Sequence, residues 1–162
     1  MLIVGNGRMI TRDVSCPFLE DGAVVMDKNK IIEVGQTEDI RKAYKEAEYI
    51  DAKKGVIMPA FINTHEHIYS AMARGLSIDG YDPKGFLDIL DGMWWTIDRN
   101  LSEEQILQSA RATYIDSIKN GVTTVFDHHA SFGSITDSLF IIEEMAAGFL
   151  YLRPCAVHFL IL

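Results

Sequence analysis

Apolar and polar positions along the chain change their pattern once, near residue 56. Before that point the apolar residues come in short runs broken by turn formers. Leu2-Ile3-Val4 and Arg8-Met9-Ile10-Thr11 flank Gly5-Asn6-Gly7, and Gly22-Ala23-Val24-Val25-Met26 and Ile31-Ile32-Glu33-Val34-Gly35 flank Asp27-Lys28-Asn29-Lys30. Glycine and asparagine tolerate positive φ, so the first break reads as a turn between two strands and the second as a hairpin. Thr37 stands where it can cap a short helix through about Glu46, and Tyr49-Ile50-Asp51 returns as a strand. Residues 1–55 thus form a small β-rich unit. Its apolar runs are too few to bury a core alone, which predicts packing against something larger.

From Val56 onward strand and helix patterns alternate, the signature of a parallel sheet with crossover helices. The clearest helix runs from about Ser102 to Asn120. Ser102 and Gln105 make a capping box, and Glu103 and Glu104 suit the positive end of the helix dipole. Ile106, Ala110, Tyr114 and Ile118 recur at helical spacing and mark the expected buried face, with Leu107 and Ile115 beside them; Gly121 ends the helix. A strand follows from Val122 to about Asp127, then a helix from about Thr136 to Ala147 that stops at Gly148. The connection from Tyr69 to Asn100 is rich in glycine, aspartate and aromatics, and Met72, Phe86, Met93, Trp94 and Trp95 read mostly as packing groups there.

Two of the predicted strands end in histidines. The apolar stretch Val56-Ile57-Met58-Pro59-Ala60-Phe61-Ile62-Asn63-Thr64 delivers His65-Glu66-His67, and Val122–Asp127 delivers His128-His129. Side chains alternate faces along a strand, so His65 and His67 are expected on one side and Glu66 on the other. Two imidazoles on one side can share a metal ion, although two alone do not complete a tetrahedral zinc site. His128 and His129 read either as a solvated loop pair or as groups that touch a substrate or support a metal shell. Arg74 and Trp94, on the connection between the two strands, are candidate substrate contacts because loops at strand ends carry specificity.

The run Met58-Pro59-Ala60-Phe61-Ile62-Asn63-Thr64-His65-Glu66-His67 resembles the first barrel strand of the amidohydrolase superfamily, in its deaminase and chlorohydrolase branch. Phe86-Leu87-Asp88-Ile89-Leu90-Asp91-Gly92-Met93-Trp94-Trp95 and Asn120-Gly121-Val122-Thr123-Thr124-Val125-Phe126-Asp127-His128-His129 narrow the resemblance to the aminohydrolases called SsnA. Ala60 stands where that family usually has glycine. The resemblance implies an α/β fold, the first two to three βα units of a (β/α)8 TIM barrel over residues 56–162, preceded over residues 1–55 by part of a small β-sandwich. It implies a metal-dependent hydrolase acting on carbon–nitrogen bonds other than peptide bonds, deaminating a heterocyclic or amidine-like small molecule with a metal-activated water. His65 and His67 would be metal ligands, with zinc or iron as the divalent ion. The family's other ligands, a histidine on the fifth strand and an aspartate on the eighth, and its proton-moving glutamate and histidine have no match in this chain. Catalytic groups are therefore expected downstream of Leu162.

Bulk properties narrow the setting. With 162 residues the chain is shorter than the roughly 250 that a whole (β/α)8 barrel takes. A truncated gene product, inactive alone, is the leading expectation, and a non-catalytic remnant or one chain of a split protein is the alternative. The apolar tail from Gly148 to Leu162 departs from the family pattern. It would supply a third strand with Pro154 before it or at its edge, and Phe159-Leu160-Ile161-Leu162 would leave an apolar sheet edge prone to self-association. His158 within it reads as incidental. A net charge of −8 argues against a nucleic-acid partner. No stretch is long and apolar enough for a membrane span, the N-terminus does not read as a signal peptide, and Cys16 and Cys155 form no C-x-x-C pair. A reducing, cytoplasmic setting is the expectation.

Overall fold

A computed structural model of the chain describes residues 1–148 and 153–155. It divides into two compact units, Met1–Pro59 and Ala60–Leu162. The apolar edge expected at Phe159–Leu162, and His158, lie outside the described residues.

The first unit is one five-stranded sheet built from β1 (Leu2–Ile10), β2 (Phe18–Asp27), β3 (Lys30–Gln36), β4 (Glu48–Asp51) and β5 (Val56–Ile57). The order is β3-β2-β1-β4, and β5 also pairs with β1. Helix α1 (Thr37–Ala43) drops Ile40 onto Ile3, Ala23 and Val25, and Tyr44, Ala47 and Tyr49 close around this small core. The expected hairpin is present, with Asp27 paired to Lys30 across a turn in which Lys28 takes φ 54°.

Two local expectations are corrected. Gly5-Asn6-Gly7 is no turn: β1 runs straight through it, and a register shift against β2 between Val4 and Gly7 absorbs the positive φ of Asn6 (57°) as a β-bulge. Thr37 is the first residue of α1 and not its cap. Gln36 holds the cap position, while the Thr37 hydroxyl accepts the Asn6 N–H (3.0 Å) and donates to Asp21 Oδ1 (2.9 Å).

The stretch expected as one strand from Val56 is two. Pro59 has no N–H to give a ladder, and between Ile57 and Phe61 the chain leaves the first sheet. The second unit opens with β6 (Phe61–Glu66), which pairs in parallel with β7 (Val122–Asp127), itself paired in parallel with β8 (Arg153–Cys155). Pro154 does lie in β8, which pairs only with β7 among the described residues.

The connection from β6 to β7 is more helical than its composition suggests. It contains a 3-10 helix (Ile68–Ala73), α2 (Phe86–Ile89), a π-helical turn (Leu90–Trp94), α3 (Trp95–Asn100) and α4 (Glu103–Lys119). Met72 and Phe86, read as packing groups, are well exposed. Helix α4 is capped as expected. The Ser102 hydroxyl accepts the Gln105 N–H, Gln105 Oε1 accepts the Ser102 N–H (2.8 Å), and Gly121 follows at φ 72°.

The buried face of α4 is Ile106, Ser109, Ala110, Thr113, Tyr114 and Ser117, whereas Ile115 and Ile118 stay exposed. The small polar residues let the 3-10 helix approach, and Ser109 Oγ accepts the Met72 N–H (3.3 Å). Ile106, Ala110 and Tyr114 join Ile68, Tyr69, Val125 and, from α5 (Ser138–Gly148), Ile142 and Ala146 in one core. That core lies beneath the C-terminal ends of β6 and β7. No helix of the described residues is long and apolar enough to cross a membrane.

Candidate metal centre

His65 occupies the last turn of pleat in β6, and His67 is the first residue beyond it, at the N-cap of the 3-10 helix. Their Nε2 atoms lie 3.2 Å apart. Two imidazole nitrogens held about 2.0–2.1 Å from one zinc ion at a tetrahedral angle would stand about 3.3 Å apart, so the pair fits a shared ion. The two rings share a side, as the strand period requires. Glu66 departs from the alternation: Asn63 pairs with Val125 and Glu66 with Asp127, leaving an extra residue between them on β6. At this bulge the Glu66 carboxylate folds back to accept the Asn63 side-chain amide (2.8 Å) and the His67 N–H (3.1 Å), and it lines the same cleft as His67.

The end of β7 holds both imidazoles. The His128 N–H extends the ladder to the Glu66 carbonyl (2.8 Å), and the His128 carbonyl meets His67 Nδ1 at 2.8 Å. A carbonyl only accepts, so His67 carries its proton on Nδ1 and presents a lone pair at Nε2. The His128 ring stacks on His65 with centroids 4.2 Å apart. Trp94 lies 6.0 Å from the His67 ring. Trp94 and Arg74 line a cleft of about 590 Å³ with Glu66 and His67, and Arg74 meets Asp116 at 3.9 Å in an exposed ion pair.

His129, read with His128 either as a solvated loop group or as one that touches a substrate or supports a metal shell, is placed differently from His128. Its side chain is buried, with Nε2 2.9 Å from Ser138 Oγ and Nδ1 facing Asp127 Oδ2 at 3.6 Å. The other oxygen of Asp127 accepts the Ile68 N–H (2.9 Å). Sequence reasoning also passed over Asp98 and Tyr69. Both are buried next to this cluster, and the Tyr69 hydroxyl donates to Asp98. Burial pushes the Asp98 carboxyl up from its ordinary range despite that hydrogen bond, and burial together with Asp98 pushes the Tyr69 hydroxyl up. A tyrosine two residues after the paired histidines was the one local signal available; nothing local pointed to Asp98. Among the described residues no group of three or more His, Cys, Asp or Glu side chains is arranged to hold an ion; His65 and His67 are a pair whose ring nitrogens converge.

The chain is similar to the 5'-deoxyadenosine deaminase of Methanosarcina barkeri, 31% identical over 127 residues that make up 78% of this chain and 27% of that protein. It is similar to the 5-methylthioadenosine/S-adenosylhomocysteine deaminase of Pyrococcus horikoshii, 31% identical over 128 residues, 78% of this chain and 28% of that one. Among solved structures, a mutant atrazine chlorohydrolase TrzN from Arthrobacter aurescens TC1, complexed with zinc and atraton, superposes with a TM-score of 0.79. It is 27% identical, and the match covers 98% of this chain and 35% of that one. The guanine deaminase of E. coli shares the fold at a TM-score of 0.70 and 20% identity, over 91% of this chain and 35% of that one. The chain thus spans about a quarter of the length of the curated relatives and about a third of the solved structures. The amidohydrolase family itself matches residues 56–156, from β5 through β8, and this chain belongs to that family.

Proposed function

We propose that the protein carrying this chain hydrolyses a carbon–nitrogen bond of a small heterocyclic or amidine-like molecule, and that His65 and His67 hold the divalent metal, with zinc as the assigned ion. The observation that carries the reading is the convergence of the two Nε2 atoms at 3.2 Å, with the δ-proton of His67 held by the His128 carbonyl. An ion bound there would lower the pKa of a water to about 7 and so supply a nucleophile at neutral pH. The chain's own residues bind and orient. His67 keeps its Nε2 lone pair free, His128 fixes the plane of the His65 ring, and Arg74 and Trp94 offer a cation and an aromatic face to a planar substrate in the adjoining cleft. In this reading β6, β7 and β8 are the first three strands of a (β/α)8 barrel, and the sheet of the first unit is part of a β-sandwich. Within the family the SsnA aminohydrolases are the assigned group, on the motifs around Trp94 and His128. His129 supports the centre from within the fold.

Two experiments test this. In the whole protein, ammonia release from amino-substituted heterocycles and bound metal should disappear together in His65→Ala and His67→Ala; turnover that survives both substitutions would end the metal reading. For the 162-residue chain, dialysis against metal-free buffer should leave well under one zinc per chain and no ammonia release, because a catalytic zinc needs three protein ligands and no group of three is found among the described residues. Stoichiometric zinc with turnover lost in His65→Ala would show that groups assigned no role here complete the site.

A further inference from the structure

Ser138, His129 and Asp127 have the connectivity of a Ser-His-Asp triad: Ser138 Oγ to His129 Nε2 at 2.9 Å, then His129 Nδ1 to Asp127 Oδ2 at 3.6 Å. A nucleophile must be reachable, and Ser138 is 1% exposed, so the set does not attack a substrate. Its outlet is the backbone. Asp127 Oδ1 accepts the N–H of Ile68, the first amide after His67 and the start of the 3-10 helix. Asp127 Oδ2 and His129 Nδ1 are both buried, and among the described residues neither has a hydrogen-bond partner; they face each other at 3.6 Å, an electrostatic contact longer than a hydrogen bond. One arrangement of protons suits all four groups: the Ser138 hydroxyl donates to Nε2, which places the ring proton on Nδ1, where it points at the carboxylate. The reverse tautomer would aim a lone pair at a carboxylate in a buried site.

We propose that Asp127 is a positioning residue for His67. It clamps the Ile68 amide, and it is itself held by His129 and, through His129, by Ser138 at the start of α5. The end of β7 thereby sets where the His67 ring can sit, so that its Nδ1–H reaches the His128 carbonyl and its Nε2 faces His65. The functional meaning rests on the metal reading of His67; the positioning does not.

The test reads the His67 tautomer directly, by long-range proton–nitrogen spectra of the labelled chain without metal, above the pH range in which imidazole is charged. In the unaltered chain His67 should be dominated by the Nδ1–H form. Asp127→Ala and His129→Ala should each shift it toward the Nε2–H form, whereas His129→Asn, which keeps a side-chain N–H near the place of Nδ1, should restore it. If Asp127→Ala does not fold, His129→Ala carries the comparison, since it leaves the bond between Asp127 and Ile68 possible. Ser102→Ala, which weakens α4 without touching β7, should leave the tautomer unchanged. A His67 that is not Nδ1–H at the outset, that stays Nδ1–H in both alanine variants, or that moves as far in Ser102→Ala overturns the proposal, as does failure of His129→Asn to rescue. A parallel cobalt(II) titration of the whole protein and its His65→Ala variant separates the two readings: no cobalt signal dependent on His65 there ends the metal reading and leaves the tautomer result standing. Where cobalt binds, the alanine variants at 127 and 129 should weaken it about 10- to 100-fold.

Discussion

Replacing Ile106 and Ile118 by alanine separates the face of α4 that its periodicity suggests from the face that the fold uses. The two isoleucines lie on the same four-residue repeat, but Ile106 is 0% exposed and Ile118 is 39% exposed. Ile→Ala removes three carbon groups, worth about 0.8 kcal/mol each on transfer, so about 2.4 kcal/mol is at stake at a fully buried site. Ile106 sits among Ile68, Tyr114, Val125 and Ile142, which come from four different elements and cannot all close the gap, so a cavity cost adds to this. The total should be about 3–4 kcal/mol. At Ile118 about two-fifths of the side chain is already in water and alanine is the better helix former, which leaves about 1 kcal/mol.

Both tryptophans, Trp94 and Trp95, lie in the second unit, so their fluorescence in a urea titration follows that unit alone. With a slope of about 1–3 kcal/mol per molar, Ile106→Ala should lower the midpoint by about 1–4 M. Equal losses at the two positions, or a loss below about 1 kcal/mol at Ile106, would mean that α4 buries a different stripe and that the small polar residues are not its contact surface.

Other outcomes follow from single contacts. Ser102→Ala should cost about 1 kcal/mol in the same titration, and Gln105→Ala at least as much, because the half of the capping box that Gln105 accepts is the shorter one, 2.8 Å against 3.4 Å; a neutral Gln105→Ala would remove the box. Asp98→Asn keeps an acceptor for the Tyr69 hydroxyl but cannot ionise. Burial raises the Asp98 pKa above its unfolded value, so between the two values the folded state binds more protons and stability falls as pH rises. The penalty is fully present above the folded pKa and absent below the unfolded one. Asp98→Asn should therefore be more stable than the unaltered chain at neutral pH, with no gain well below the carboxylate range; a difference that does not vary with pH would show that Asp98 ionises freely.

The places where sequence reading stopped short have physical causes. Gly5-Asn6-Gly7 carries every local mark of a turn, and Asn6 does take positive φ, but a turn and a β-bulge ask the same of the backbone. The choice was made by neighbours far along the chain. A Cβ on Gly5 would come within 2.9 Å of Ala23 Cβ, and one on Gly7 within 2.8 Å of Ile57, so these glycines serve close approach on both sides of a continuous strand. The face of α4 was misread for a related reason. Apolar periodicity finds the stripe that flees water, but Ser109, Thr113 and Ser117 are buried because they are small and let the 3-10 helix come close, and hydrophobicity carries no record of that. The cap and stop of α4, whose signals are complete within a few residues, were legible: Ser102, Gln105 and Gly121 all stand where their chemistry placed them, whereas Thr37 is drawn into α1 by its contacts with Asn6 and Asp21, 31 and 16 positions away.

The candidate centre divides along the same line. His65 and His67 could be read as a pair because a strand's two-residue period alone brings their rings to one side, and the bulge at this end of β6 turns Glu66 without parting them. What holds the pair is non-local. The His128 carbonyl reaches His67 across 61 positions, and Asp127 reaches the Ile68 amide across 59. Both contacts exist only because β7 lies parallel to β6 and ends level with it, so the Asp-His-His run that looked like one more histidine cluster splits its work by strand geometry. Asp127 and His129 turn inward to the core beneath the site, while the ring of His128 lies against His65. Adjacent histidines with a shared motif thus carry different tasks, and a substitution at His128 should disturb the His65 ring directly, while one at His129 should reach His67 indirectly, through Asp127 and through the Tyr69 ring that lies against both His129 and His67.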